Sequence, residues 1–182
     1  MSDYKKILTE AIQENPNPSK WTDSIYGDIK HVSNTAVGKV GQTFIRKLCE
    51  ETGFAYEPPY TTSGDEAYNS PWDLMIENVT FEIKTASEDI SSSYQFNHVR
   101  LHRKYDALIC LGIAPNDIFF NLWTKAEVAT GAAGTLTSME KGGASDFKLT
   151  KPRNKLKPIA SFEETLDGFL RTRFSNKTTR GG

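Results

Sequence analysis

Asp73 is followed nine residues later by Glu82, with Lys84 two positions beyond it. Two carboxylates and an amine are the groups that metal-assisted hydrolysis of a phosphodiester requires. Such an ester needs a positioned water, neutralised phosphate charge and a stabilised leaving oxygen. Mg²⁺ takes oxygen ligands and keeps several waters, so one or two carboxylates suffice to hold it. Asp73 and Glu82 would supply those oxygens, with the backbone carbonyl of Ile83 as a further ligand. The cation would polarise the phosphate and lower the pKa of water. Lys84 would stabilise negative charge or relay a proton. The expected cofactor is therefore Mg²⁺, with Mn²⁺ able to substitute.

These residues must be brought together by a hairpin. Pro71 marks the start of a short strand from Trp72 to Ile76, and Glu77-Asn78 suits a tight turn. Val79 to Ala86 then alternates, with Val79, Phe81 and Ile83 on one face and Thr80, Glu82 and Lys84 on the other. Spacing alone equally fits an ordinary Glu/Lys pair on a half-exposed strand. The apolar run Val79, Phe81, Ile83 argues for an inner strand, and Ala107 to Ile113 provides another for a central sheet.

Ser70 to Ser87 resembles the PD-(D/E)xK nuclease superfamily. Pro71-Trp72-Asp73 stands for the Pro-Asp half with Trp72 inserted, and Glu82-Ile83-Lys84 is the Glu-x-Lys half. A helix before the hairpin, a long segment after Lys84 and the strand Ala107 to Ile113 follow the same order. The resemblance, closest in size and order to type II restriction endonucleases, implies an α/β fold with a restriction-endonuclease-like core, a mixed central sheet flanked by helices. It also implies Mg²⁺-dependent, sequence-specific cleavage of double-stranded DNA. Many members carry a Glu on the preceding helix. Here the helix Thr35 to Thr52 offers Gln42, which would orient a water and leaves a second metal in doubt.

The remaining segments must supply DNA contacts. Tyr94 to Tyr105 mixes aromatics with Gln95, Asn97, His98, Arg100, His102, Arg103 and Lys104. Gln and Asn read adenine edges, and Arg reads guanine or holds phosphate. The expectation is a DNA-facing helix or loop, against an ordinary polar helix packed by Phe96, Val99 and Leu101. His98 and His102 would share a helix face, too few ligands for zinc. Lys148, Lys151, Arg153, Lys155 and Lys157 form the densest basic cluster, suited to tracking a duplex backbone or simply solvated. The glycine-rich run Gly131 to Gly143 lacks the Gly-Lys-Ser/Thr ending of a phosphate-binding loop.

Helices are expected over Tyr4 to Gln13, ended by Asn15-Pro16-Asn17-Pro18, and from a Ser19 cap to about Val32. A third is capped by Asn34 and stopped by Gly53, with Val37, Val40, Phe44, Ile45 and Leu48 as its core stripe. Gly38 and Gly41 would let it approach the sheet closely. Ile118 to Trp123 should pair with Ala107 to Ile113 through Pro115-Asn116-Asp117. A short helix follows over Lys125 to Thr130 and a strand over Phe147 to Thr150. A last helix runs Ser161 to Phe174, with Ser161 and Glu164 as a capping box.

A chain of 182 residues is one domain by default and can bury a core without disulfides. The parts would be N-terminal helices (3–53), catalytic hairpin and sheet (70–124), a basic segment (131–174) and a frayed tail (175–182). No apolar run approaches a membrane span. Cys49 and Cys110 fall in apolar positions as reduced thiols, which suits a cytoplasmic protein. Net charge is −1, but residues 1–96 hold 8 Lys/Arg against 15 Asp/Glu and residues 97–182 hold 14 against 8. The basic half would meet phosphate while the acidic half holds metal. Cutting both strands with one site per chain favours a homodimer on a palindrome. Rival readings are a structure-selective repair or recombination nuclease, a silent DNA-binding module, and a small-molecule enzyme or protein-interaction domain.

Overall fold

A computed structural model describes residues 4–14, 19–67, 69–139 and 146–177. The strands are β1 (Tyr56–Glu57), β2 (Leu74–Ile76), β3 (Val79–Ser87), β4 (Ser93–Val99), β5 (Ala107–Ile113), β6 (Ile118–Thr124), β7 (Leu136–Ser138), β8 (Phe147–Pro152) and β9 (Lys157–Pro158). The helices are α1 (Tyr4–Glu14), α2 (Asn34–Thr52), α3 (Lys125–Ala129) and α4 (Phe162–Arg173). The fold is α/β with a mixed six-stranded sheet, in the order β1-β2-β3-β5-β6-β9. Only β3 and β5 run parallel; the other neighbours are antiparallel.

The hairpin forms where the turn residues require it. Glu77 and Asn78 both adopt positive φ, 48° and 65°, the arrangement of a two-residue turn that matches strand twist. Glu77 is buried, and its Oε1 accepts the Ala55 N–H at 2.9 Å, which ties the turn to the end of α2. Strand β5 is buried along its whole length, as its unbroken apolar run predicts.

The two faces of the main sheet are covered differently. Phe81, Ile83, Ile109, Leu111, Phe120 and Leu122 pack against Ile45 and Cys49 of α2 and Phe162, Leu166 and Leu170 of α4. On the other face Ala86, Leu108 and Cys110 pack against Tyr94, Phe96, Val99 and Leu149 of a second sheet, ordered β4-β8-β7, and against Val128 of α3. Helices therefore dominate one face, and a small antiparallel sheet with one short helix covers the other. Cys49 and Cys110 are buried free thiols.

Several local expectations change. Tyr94 to Tyr105 is not a helix: its first part is strand β4, where Tyr94, Phe96 and Val99 are buried while Gln95 and Asn97 are exposed. Period 2 governs that stretch because a second apolar surface, β8, is available to pair with it. Ser19 to Val32 holds turns and one 3₁₀ turn, Gly27–His31, since Asp23 takes φ 56° and interrupts any helical repeat. Ser33, not Asn34, caps α2; its Oγ accepts the Ala36 N–H at 3.3 Å, and Gly53 ends the helix at φ 70°. The capping box expected at Ser161 does not form, because Ser161 Oγ donates to the Pro158 carbonyl at 2.9 Å. Thr124 and Glu127 form one instead, at the head of α3.

Ile7 and Leu8 of α1 are exposed. The expected tail is anchored as far as Lys177, whose Nζ meets Asp106 Oδ1 at 2.7 Å. The break Asn15–Pro18, residues 140–145 of the glycine-rich run and residues 178–182 lie outside the described residues. No helix among the described residues is long and apolar enough to cross a membrane.

Candidate active site

The short length of β2 creates the site. Leu74 pairs with Phe81, so one step back Asp73 falls opposite Glu82, where β2 has already ended. The Asp73 N–H still reaches the Phe81 carbonyl at 2.8 Å. Its side chain replaces the missing ladder, with Oδ2 accepting the Ile83 N–H at 2.8 Å. A strand residue's N–H and C=O leave on the same edge. The Ile83 carbonyl therefore leaves β3 on the edge where Asp73 sits.

Glu82 and Lys84 lie on the face roofed by the second sheet, beside Leu108 and Cys110. Glu82 is only 2% exposed. Lys84 Nζ meets Glu82 Oε1 at 2.7 Å. The other oxygen, Oε2, and the Tyr105 hydroxyl are buried and neither makes a well-formed hydrogen bond, although the Tyr105 hydroxyl and the Arg100 N–H both lie close to the Glu82 carboxylate. A buried carboxylate oxygen without a full hydrogen bond is costly unless something else satisfies it.

Electrostatics point the same way. Burial raises the pKa of Glu82; Lys84 opposes the rise and Asp73 adds to it. Burial likewise raises Asp73, opposed by the Ile83 N–H and by Lys84, Arg103 and Arg100. Two neighbouring carboxylates are thus held in a setting that disfavours their charge, with the Lys84 ammonium paired to Glu82 and the charges of Lys84, Arg103 and Arg100 felt at Asp73. A hard divalent cation fits this donor set: two carboxylates, one of them with an oxygen that makes no well-formed hydrogen bond, and a backbone carbonyl on the same edge. Among the described residues no group of three or more His, Cys, Asp or Glu could hold a metal, so carboxylates and imidazoles alone do not complete a shell.

A cleft of about 410 Å³ opens beside Asp73. Gln42, Lys39 and Arg46 of α2 line one wall, and Ser70, Trp72, Asp73 and Arg103 the other. Gln42 thus shares the cleft with Asp73. The helix reaches this position because of Gly41. A Cβ placed there would lie 1.8 Å from Thr85 Oγ1 and 2.9 Å from Thr85 Cβ on β3. Gly38 has no such contact, so the expectation of close packing holds for Gly41 alone. The sequence reading missed Lys39 and Tyr105. Lys39 carried a detectable signal, standing three residues before Gln42 on the same helix face; Tyr105 carried none.

The basic and polar candidates are dispersed. Gln95 of β4 pairs with Thr150 of β8, and both are exposed. A bulge between Phe96 and Val99 leaves Asn97 and His98 exposed, with His98 at φ 57°. His98 Nδ1 and Arg100 Nε meet the two oxygens of Asp146 at 2.9 and 2.8 Å. His98 lies on a strand and His102 in the turn after it, so they share no helix face. Arg103 donates to the Ser70 carbonyl at 3.1 Å on the cleft wall, and Lys104 is exposed.

The basic run does not form one surface. On β8 Lys148 and Lys151 leave on opposite faces. Lys151 lies over the Trp123 ring, 5.1 Å from its centroid, and burial lowers its pKa. Arg153 grips the buried Glu88 with two bonds of 2.6 and 2.8 Å, and Lys20 reaches the same carboxylate at 2.7 Å. Lys155 is exposed.

No protein-family model and no curated protein sequence matches the chain. Among solved structures it is similar to a bacterial homing endonuclease, at 13% identity over 78% of this chain and 99% of that one, with a TM-score of 0.45. It is also similar to a nuclease from a fusselovirus, at 11% identity over 78% and 96% of the two chains, with a TM-score of 0.42. Likeness at this level carries neither residue roles nor activity to this chain.

Proposed function

We propose that the protein is a metal-dependent DNA endonuclease with the chemistry of the PD-(D/E)xK nucleases. The observation that carries the reading is the placement of half-buried Asp73 opposite buried Glu82, with Lys84 on one Glu82 oxygen and no well-formed hydrogen bond on the other. Asp73, Glu82 and the Ile83 carbonyl hold Mg²⁺, for which Mn²⁺ substitutes. The cation supplies charge neutralisation at the phosphate and lowers the pKa of water. Lys84 holds the developing negative charge beside it or passes a proton. Gln42 orients a water from the opposite wall through its amide oxygen.

The finer reading is site-specific cleavage of duplex DNA by a homodimer, in the manner of a type II restriction enzyme. The exposed row of Gln95, Asn97 and Thr150, with Lys148 beside it, presents hydrogen-bonding groups of the kind that read base edges. Arg100, Arg103, Lys104, Lys151 and Lys155 supply further positive charge at separate places on the molecule, Arg103 at the cleft wall, and Arg153 contributes through its structural ion pair.

Incubation of the purified protein with phage-sized DNA, with Mg²⁺ or with EDTA, tests the reading. Discrete metal-dependent fragments are expected. A smear would point instead to the structure-selective or non-specific alternative, which a four-way junction substrate would separate. Lys84→Ala should abolish cleavage and leave DNA binding nearly intact; undiminished cutting would remove Lys84 from the mechanism.

A further inference from the structure

One stripe of α2 faces the cleft rather than the sheet. Thr35, Gly38, Lys39, Gln42 and Arg46 recur at the spacing of a single helix face, and all line the cleft that holds Asp73. The neighbouring stripe, Gly41, Ile45 and Cys49, is the one buried against the sheet.

Gly38 is the informative member. Glycine inside a helix is less favourable than alanine, so its presence calls for a local reason. At Gly41 the reason is contact with Thr85. At Gly38 a Cβ would meet nothing within 4 Å, so the fold itself does not require glycine there. The space a side chain would occupy belongs to the cleft. A bare stretch of backbone lets a bulky ligand approach more closely than any side chain permits.

The charges around that space select the ligand. Arg46 is engaged by Glu66, with contacts of 3.1 and 2.5 Å. Lys39 is exposed at the rim, and Arg103 faces it across the cleft. The cleft's carboxylates are Glu66, which Arg46 neutralises, and Asp73, which the proposed cation would meet; with these accounted for, a cation on each wall, a threonine hydroxyl and a bare helix surface suit an extended polyanion better than a compact molecule.

We propose that the Thr35–Gln42 face of α2 is a track for the sugar–phosphate backbone of the strand to be cut. Lys39 takes a phosphate adjacent to the scissile one, and Gly38 provides the clearance for the sugar beside it. The inference rests on the nuclease reading for which strand lies there, and not for the existence of the track.

The test compares wild type with Gly38→Ala, Gly38→Leu and Lys39→Ala. Three quantities are measured: thermal midpoint, affinity for a labelled random-sequence duplex across a salt series in EDTA, and Mg²⁺-dependent cleavage. Gly38→Ala should melt at or above the wild-type temperature, since nothing lies within 4 Å of the new Cβ, and Gly38→Leu, whose thermal midpoint is measured beside it, should melt close to wild type. Gly38→Leu should nevertheless bind roughly tenfold more weakly and cut correspondingly less. Lys39→Ala should flatten the salt slope by about one unit. A wild type that binds and cuts, with Gly38→Leu and Lys39→Ala indistinguishable from it, would overturn the track and leave the nuclease standing. A wild type that binds but never cuts, still weakened by Gly38→Leu, would keep the track and remove the nuclease. A wild type with no affinity for duplex would overturn both.

Discussion

Gly41→Ala should damage stability and activity together, by amounts that follow from the contact between α2 and β3. The new Cβ would sit 1.8 Å from Thr85 Oγ1, whereas ordinary contact begins near 3.4 Å, so up to about 1.6 Å of separation is needed. Rotating the Thr85 hydroxyl away does not suffice, because Thr85 Cβ itself would remain at 2.9 Å. The helix must therefore still move by about 0.5 Å. Overpacking of this severity costs about 3 kcal/mol, and the better helix propensity of alanine returns about 1 kcal/mol. The net loss of about 2 kcal/mol lowers the melting temperature by roughly 4–8 °C in a domain of this size. The same movement shifts Gln42 relative to Asp73; a misplacement of about 1 Å costs about a hundredfold in rate, so a shift of about half that should cost roughly tenfold. Thermal unfolding and plasmid cleavage read the two effects. Thr85→Gly in the same chain removes every Thr85 atom that the new Cβ would meet and should restore much of the cleavage. A Gly41→Ala protein with wild-type melting and wild-type cleavage would refute the claimed contact and its role in setting the cleft.

Two further outcomes follow from buried charge. Glu82→Gln should melt higher than wild type in EDTA at neutral pH while losing cleavage. A carboxyl whose pKa is raised by folding favours the fold below its unfolded value, and that contribution is lost as pH rises through the folded value. The gain should therefore vanish in acid; a melting temperature below wild type at neutral pH would contradict the raised pKa. Mg²⁺ should raise the melting temperature of wild type and not of this variant, and protection of both would place the cation elsewhere. Arg153→Ala should destabilise by about 2 kcal/mol, since it removes two of the bonds to a carboxylate that is 1% exposed. The partners of Glu88 outweigh its burial and lower its pKa, so its stabilising contribution is present above the unfolded value and lost as pH falls through the folded one. A pH–stability curve of wild type against Arg153→Ala checks both, and overlapping curves would show that the pair does not stabilise the fold.

The hairpin and its three charged residues are legible in the sequence because they depend on local rules. Glu77-Asn78 tolerates the left-handed turn, period-2 alternation separates Phe81 from Glu82, and the nine-residue step from Asp73 to Glu82 spans the turn. The same holds for Ala107–Ile113 and for α2, whose apolar stripe and Gly53 stop are sequence-local. Tyr94 to Val99 is not legible in the same way, because its polar and aromatic residues fit either period until a partner exists. Only the tertiary structure, by pairing it with β8, makes it a strand and a roof over Glu82. That roof decides the burial and raised pKa of Glu82, which no spacing records. Tertiary contact also decides that Arg153 serves Glu88, 65 positions away, and that Lys148 and Lys151 leave one strand on opposite faces. Sequence determines which groups are available for chemistry; the packing of distant segments determines which of them remain charged, exposed and within reach of one another.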